Sequence, residues 1–125
     1  LQGEPITIYG DGNQTRTFCY VDDNIDTMIG CLEKDLFVNE VLNIGSDEEC
    51  SIKILAENIL ELTDSKSKIQ HLPPLQEGDM TRRKPDITKM RSVLSRELIP
   101  IKKGIKLMLP IEEDTNRFTV ASKER

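Results

Sequence analysis

The chain has no tryptophan, one histidine, and only two tyrosines and three phenylalanines among its 125 residues. The single histidine, His71, has no second histidine to share a metal with, so neither zinc nor haem is expected. A Ser-His-Asp or Cys-His machine would have to use His71, yet no G-x-S-x-G turn occurs and His71 falls in a run that reads as a strand. An ordinary strand position is the expectation for it. The three cysteines, Cys19, Cys31 and Cys50, are odd in number, widely spaced and form no C-x-x-C pair. That usage suits reduced thiols in the cytoplasm. No apolar run approaches the ~20 residues of a membrane helix, and no basic stretch leads into an apolar one, so neither anchoring nor export is expected. Missing too is a Tyr followed four residues later by a Lys. Gly10-Asp11-Gly12 lacks the third glycine and the following helix of a dinucleotide loop, and its carboxylate opposes a phosphate. It reads as a tight turn, and no catalytic engine is visible in the chain.

What is present is charge, unevenly placed. Seventeen basic and 22 acidic residues give a net charge of −5 and an isoelectric point near 4.9, which excludes an overall basic nucleic-acid binder. Residues 1–65 hold 14 acidic and 3 basic side chains, whereas residues 76–106 hold 4 acidic and 9 basic ones. Lys89, Arg91, Arg96, Lys102, Lys103 and Lys106 are expected to solvate the outer faces of two helices. The triplet Arg82-Arg83-Lys84 stands apart, held between Pro73-Pro74 and Pro85 where no regular helix runs through. At 37% hydrophobic and 31% charged the chain is too apolar for a disordered tail, and its length suits one domain. It begins at Leu1 rather than Met, so a piece of something longer is expected.

Alternation over residues 5–9 predicts a strand, closed by a turn at Gly10 to Asn13. A second extended run is expected from Thr17 to Val21. Asp22 or Asp23 should then cap a helix with Ile25, Met28, Ile29 and Leu32 at helical spacing, ending near Lys34. Val41 to Ile44 reads as a buried strand stopped by Gly45 and Ser46. Ser51 should cap a helix carrying Ile52, Leu55, Ala56, Ile59, Leu60 and Leu62 on one face. Lys68 to Leu72 reads as a strand ended by two prolines, and Asp86 as the cap of a helix with Ile87, Met90, Val93 and Leu94. A last short helix should carry Ile105, Leu107, Met108 and Leu109 and stop at Pro110; residues 111–125 read as a mobile tail. Strands alternate with helices, but too few strands are visible for an independent doubly wound sheet, so the fold class is α/β as a small mixed α+β lobe.

Several groups suit a ligand: Gln14 and Arg16 beyond the glycine turn, Tyr9 and Tyr20 nearby, Asn43 at a strand end, and Arg82 and Arg83 in a constrained loop. Arginines converging from distant segments grip a diphosphate through forked donors, and Asn or Gln suits a ribose hydroxyl or a base edge. The alternative, that Arg16 and Arg82 pair with some of the many carboxylates, stays open on spacing alone.

Residues 3–23, GEPITIYGDGNQTRTFCYVDD, resemble the segment that opens the C-terminal substrate lobe of extended short-chain dehydrogenase/reductases acting on nucleotide sugars. Two further blocks agree in order and spacing: VLNIG at 41–45 and GDMTRRKPDITK at 78–89. Together the blocks cover roughly residues 1–109. Within that superfamily, Gln14-Thr15-Arg16 with Arg83-Lys84-Pro85-Asp86-Ile87 is most similar to UDP-glucuronate decarboxylases, followed by dTDP-glucose 4,6-dehydratases and UDP-sugar 4-epimerases.

The resemblance implies a nucleotide-sugar-binding C-terminal lobe over residues 1–109, without the Rossmann part. The substrate would be UDP-glucuronate or dTDP-glucose, with neither a nucleic acid nor a membrane as partner. It implies NAD-dependent oxidation of the sugar at C4, then decarboxylation and return of the hydride in the decarboxylase. Arg16 would contact the diphosphate, Tyr9 the nucleobase region, Gln14 and Asn43 the nucleoside, and Arg82 or Arg83 the phosphate from the far side. Many relatives carry an arginine just before the glycine of the closing motif, where this chain has Gln76-Glu77-Gly78. The NAD loop and the catalytic residues would lie N-terminal to residue 1, so the chain alone would be inactive and hold no cofactor. The whole enzyme would be a cytoplasmic homodimer. A stand-alone binding or assembly module is the reading from another class.

Overall fold

The computed structural model describes residues 3–75 and 80–109. Four short strands and four helices follow in the order β1 (Ile6–Tyr9), β2 (Thr15–Thr17), α1 (Val21–Glu33), β3 (Glu49–Ser51), α2 (Ile52–Leu62), β4 (Ile69–Leu72), α3 (Thr88–Val93) and α4 (Ile101–Met108). β1 pairs with β4 in parallel and β2 with β3 antiparallel, giving two two-stranded sheets. This is the small mixed α/β lobe that the alternating pattern predicts.

The most secure part is built around the start of α2. Ser51 Oγ accepts the N–H of Ile54 at 3.2 Å, as its N-cap position requires. The N–H groups of Ile52 and Lys53 bond the carbonyls of Gln14 and Gly12 at 3.1 and 3.0 Å. The turn after β1 therefore sits on the end of α2 and satisfies donors that have no partner inside the helix. Gly12, at φ +78°, has a backbone that side-chain-bearing residues seldom adopt, and a Cβ there would lie 3.2 Å from Ile8 and from Lys53. The core beneath consists of Ile8, Cys50, Ala56, Ile87, Met90 and Val93.

α1 forms where expected but by other means. Tyr20 is its N-cap and makes no side-chain bond to the helix. Asp23 is instead 1% exposed and binds the Arg96 guanidinium, and its second oxygen accepts the Ile99 N–H at 3.0 Å. Neither Asp22 nor Asp23 caps the helix, because Tyr20 already ends it and a buried carboxylate requires a cation. Arg96 is accordingly not a solvated helix-face cation: it lies in the α3–α4 connection and also bonds Asp26 at 2.5 Å. Among the other helix cations, Arg91 pairs with Asp47 and Lys102 with Glu61. Lys89 pairs with Glu40 and lies 5.2 Å from the centre of the Phe37 ring.

The apolar spacing of α1 is real, but that face is exposed. Val21, Ile25, Met28, Ile29 and Leu32 line it, Leu32 at 78%, while the residues the helix buries are Asp23 and Thr27. Gly30 permits close approach to α3, since a Cβ there would lie 2.6 Å from Val93 Cγ1.

Other expectations shift. The second extended run is Thr15–Thr17 rather than Thr17 to Val21, because its partner is the three-residue β3, and Val21 already starts α1. Residues 41–44 form no strand among the described residues; Val41 is 83% exposed and no described strand lies alongside to pair with it. α3 starts at Thr88, whose N–H and hydroxyl both bond Asp86 Oδ1 at 2.9 and 2.7 Å. α4 starts four residues ahead of Ile105, with Pro100 as its N-cap in extended backbone. The expected tail and Gly78-Asp79 of the closing motif lie outside the described residues. No helix among the described residues is long and apolar enough to cross a membrane.

Candidate functional site

At the carboxyl ends of β1 and β4 lies an open cleft of about 1200 Å³. The turn residues Gly10, Asp11, Asn13 and Gln14 form one side, Tyr9 and His71 the floor of the strand ends, and Leu72, Pro74, Leu75 and Thr81 the remainder. Ligand clefts favour this combination of apolar wall and a few fixed polar groups.

The polar groups are fixed by bonds to the backbone. Gln14 Nε2 donates to the Tyr9 carbonyl at 3.1 Å. Gly10 N–H donates to the Leu72 carbonyl at 2.9 Å, and His71 Nδ1 donates to the Gly10 carbonyl at 2.8 Å. Asp11 closes the turn by accepting the Asn13 backbone N–H and the Asn13 amide, each at 2.9 Å. Those two bonds, the backbone one foremost, hold the Asp11 carboxyl below the usual carboxylate range, with His71 a smaller contributor. The cleft wall is therefore anionic at neutral pH.

The closing segment meets the glycine turn on the far side of β2. Thr15 N–H donates to the Thr81 carbonyl at 2.9 Å, Thr15 forms a parallel bridge with Arg82, and Arg16 Nη1 donates to the Met80 carbonyl at 2.6 Å. Arg82 forks onto Glu49, with Nε and Nη2 at 2.7 and 2.6 Å from its two oxygens. Those hydrogen bonds, aided by Thr15 and Lys84, drive the Glu49 carboxyl down to about 2.

The expected site residues thus divide. Tyr9 and Gln14 line the cleft. Arg16 is half-buried beside it, bonded to the carbonyl that precedes cleft-lining Thr81. Arg82 is 66% exposed and already engaged by Glu49, and Arg83 is exposed outside the cleft. Asn43 is exposed on the connection between α1 and β3, away from the cleft. Tyr20 packs on Gly104 in an apolar pocket of about 230 Å³ between α2 and α4. His71 is in a strand as expected but also lines the cleft, a role its sequence position alone did not signal. No group of three or more His, Cys, Asp or Glu suited to a metal occurs among the described residues. The thiols are free, and burial pushes Cys19 and Cys50 up, away from the reactive thiolate.

Residues 1–45 match the NAD dependent epimerase/dehydratase family. A UDP-N-acetyl-alpha-D-glucosaminuronate decarboxylase of Bacillus cytotoxicus is 41% identical over 98 residues, 74% of this chain and 30% of that protein. The UDP-glucuronic acid decarboxylase 1 of Danio rerio is 39% identical over 106 residues, 84% of this chain and 25% of that protein. The chain is related to the NAD dependent epimerase/dehydratase enzymes. A structure of Bacillus cereus UDP-glucuronic acid 4-epimerase, in complex with UDP-glucuronic acid and NAD, superposes with a TM-score of 0.73 at 29% identity, over 84% of this chain and 34% of that one. The chain spans a quarter to a third of the length of the curated relatives it matches. The family likeness read from the three sequence blocks is thereby shown.

NAD does not fit the glycine turn. That turn leads into β2 rather than a helix, its amide-rich end is occupied by Asp11, and the nearby α2 donors are spent on Gln14 and Gly12 carbonyls. A dinucleotide loop needs free N–H groups at a helix start.

Proposed function

We propose that residues 1–109 form the nucleotide-sugar-binding lobe of an enzyme like UDP-glucuronate decarboxylase, with UDP-glucuronate as substrate. The observation that carries this reading is the meeting of Thr15 and Arg16 with residues 80–82, parts of two of the three family blocks, beside an open cleft. Tyr9 and Gln14 take the nucleoside side. Arg16 takes the diphosphate, and Arg82, on release from Glu49, approaches it from the far side. Arg83 and Asn43 are assigned to the same substrate on the family pattern alone. NAD and the groups that act at C4 belong to a part of the enzyme outside these 125 residues.

A nuclear magnetic resonance titration of the chain with UDP tests the reading, beside Arg16→Ala at matched ionic strength. Saturable shifts around Tyr9, Gln14 and Arg16 that vanish in the variant support it. Absence of saturable binding in the unmodified chain sinks the assignment of these residues. The backbone likeness to a 4-epimerase favours a second reading, UDP-glucuronate epimerisation. An assay of the enzyme that contains this lobe separates the two, since decarboxylation releases CO2 and epimerisation does not.

A further inference from the structure

We infer that His71 is a specificity-determining residue whose Nε2 accepts the imide N–H of a uracil or thymine ring, so that the cleft discriminates against cytosine. The inference rests on the nucleotide reading above and deepens it by naming the residue that reads the base.

The Gly10 carbonyl is an acceptor only, so the 2.8 Å bond from His71 Nδ1 requires the proton to sit on that nitrogen. In the neutral ring Nε2 is then a lone-pair acceptor, and no described residue bonds it. The bond also fixes the imidazole, because Gly10 is itself tied to β4 through its N–H to Leu72. An acceptor held this way at a cleft wall selects for a donor.

Charge decides which part of a nucleotide lies there. Asp11 lines the same wall as a carboxylate, which repels a diphosphate, so the uncharged base rather than the phosphates faces this end. The arginine expected to hold the phosphates, Arg16, lies on β2 with its guanidinium at the Met80 carbonyl and does not line this wall. The wall offers the base an apolar surface in Tyr9, Leu72, Pro74 and Leu75. Asp11 already accepts one bond from Asn13 on each of its oxygens, which ties its carboxylate to the turn. His71 Nε2 is the acceptor that the bond from Nδ1 to the Gly10 carbonyl holds in place at this wall.

Uracil and thymine carry a proton at N3, whereas cytosine carries a lone pair there and would face Nε2 acceptor to acceptor. Titrations of the 125-residue chain with UDP, CDP and N3-methyl-UDP test this directly, followed by UDP and CDP with His71→Phe. The expected result is UDP tighter than CDP and N3-methyl-UDP by on the order of tenfold, with UDP and CDP level in the variant. The ligand-side comparison stands even if the variant folds poorly. Equal affinity of the unmodified chain for UDP and CDP overturns the assignment of His71 and leaves the nucleotide reading standing. A preference for UDP that survives in a folded His71→Phe overturns it as well. No binding of any of the three overturns the nucleotide reading, and this inference with it.

Discussion

Arg96 joins the buried Asp23 of α1 to the connection ahead of α4, and no other cation among the described residues reaches that carboxylate. Removing one partner of a buried pair strands the other charge, which costs more than the pair itself contributes. Arg96→Ala should therefore lower stability by about 3 kcal/mol, at the lower end for such losses because Arg96 keeps a third of its surface in water. Asp26→Asn, which removes a half-exposed partner of the same guanidinium, should cost less than about 1 kcal/mol. Urea unfolding midpoints of the two variants compare the effects, and equal losses would contradict this account.

Glu49 makes stability depend on acid. Its folded carboxyl titrates near 2 rather than the usual 4.5, so folding holds it ionised. Protons bind the unfolded chain first, and the contribution is complete above 4.5 and lost as pH falls from there toward 2. Asp11, Asp47 and Asp86 are lowered too and share the trend. Glu49→Gln should flatten, without abolishing, the fall in the unfolding midpoint across that window. An unchanged slope would mean that the Arg82 pair contributes nothing.

The same pair bears on ligand affinity. Glu49 competes with a diphosphate for Arg82, so Glu49→Gln should tighten UDP binding by a few fold, about 1 kcal/mol or less. Arg82→Ala should weaken it, since it deletes the cation and leaves the carboxylate. Calorimetric titration of both variants reads the two signs, and identical signs would remove Arg82 from the site.

Gly30→Ala places a methyl 2.6 Å from Val93 Cγ1. Overpacking of this kind costs about 1–3 kcal/mol. The double variant with Val93→Ala should recover part of that loss, because the colliding methyl is gone. Additive losses in thermal unfolding would show that α1 and α3 do not press together there.

What the sequence made legible was local. The Ser51 cap, the α2 face, the alternation of β1 and the strand β4 ahead of its two prolines rest on neighbours within a few residues, and all appear. The roles of Asp23 and His71 did not, because their partners lie 73 and 61 residues away. Asp23 at a helix start carries the same signal whether it caps the helix or binds a distant arginine. The apolar stripe of α1 was visible as spacing, but spacing is silent on whether anything covers it. β2 was expected two residues too late and β3 escaped, because three residues are too few to show an alternation. The cleft was half legible: Tyr9 and Gln14 line it, while Asn43 does not.

The cleft also has a place in time. Its two strand ends are joined by a contact 61 residues long in sequence, and Arg16 meets the Met80 carbonyl across 64. Loops of that length close slowly compared with a single capped helix such as α2. As the chain leaves the ribosome, the helix and its cap are available early, whereas the paired strand ends await residues 71–75 and the cleft is complete only with Thr81. Recognition is thus a late property of this polypeptide, completed only shortly before Ile87, Met90 and Val93 arrive to finish the core.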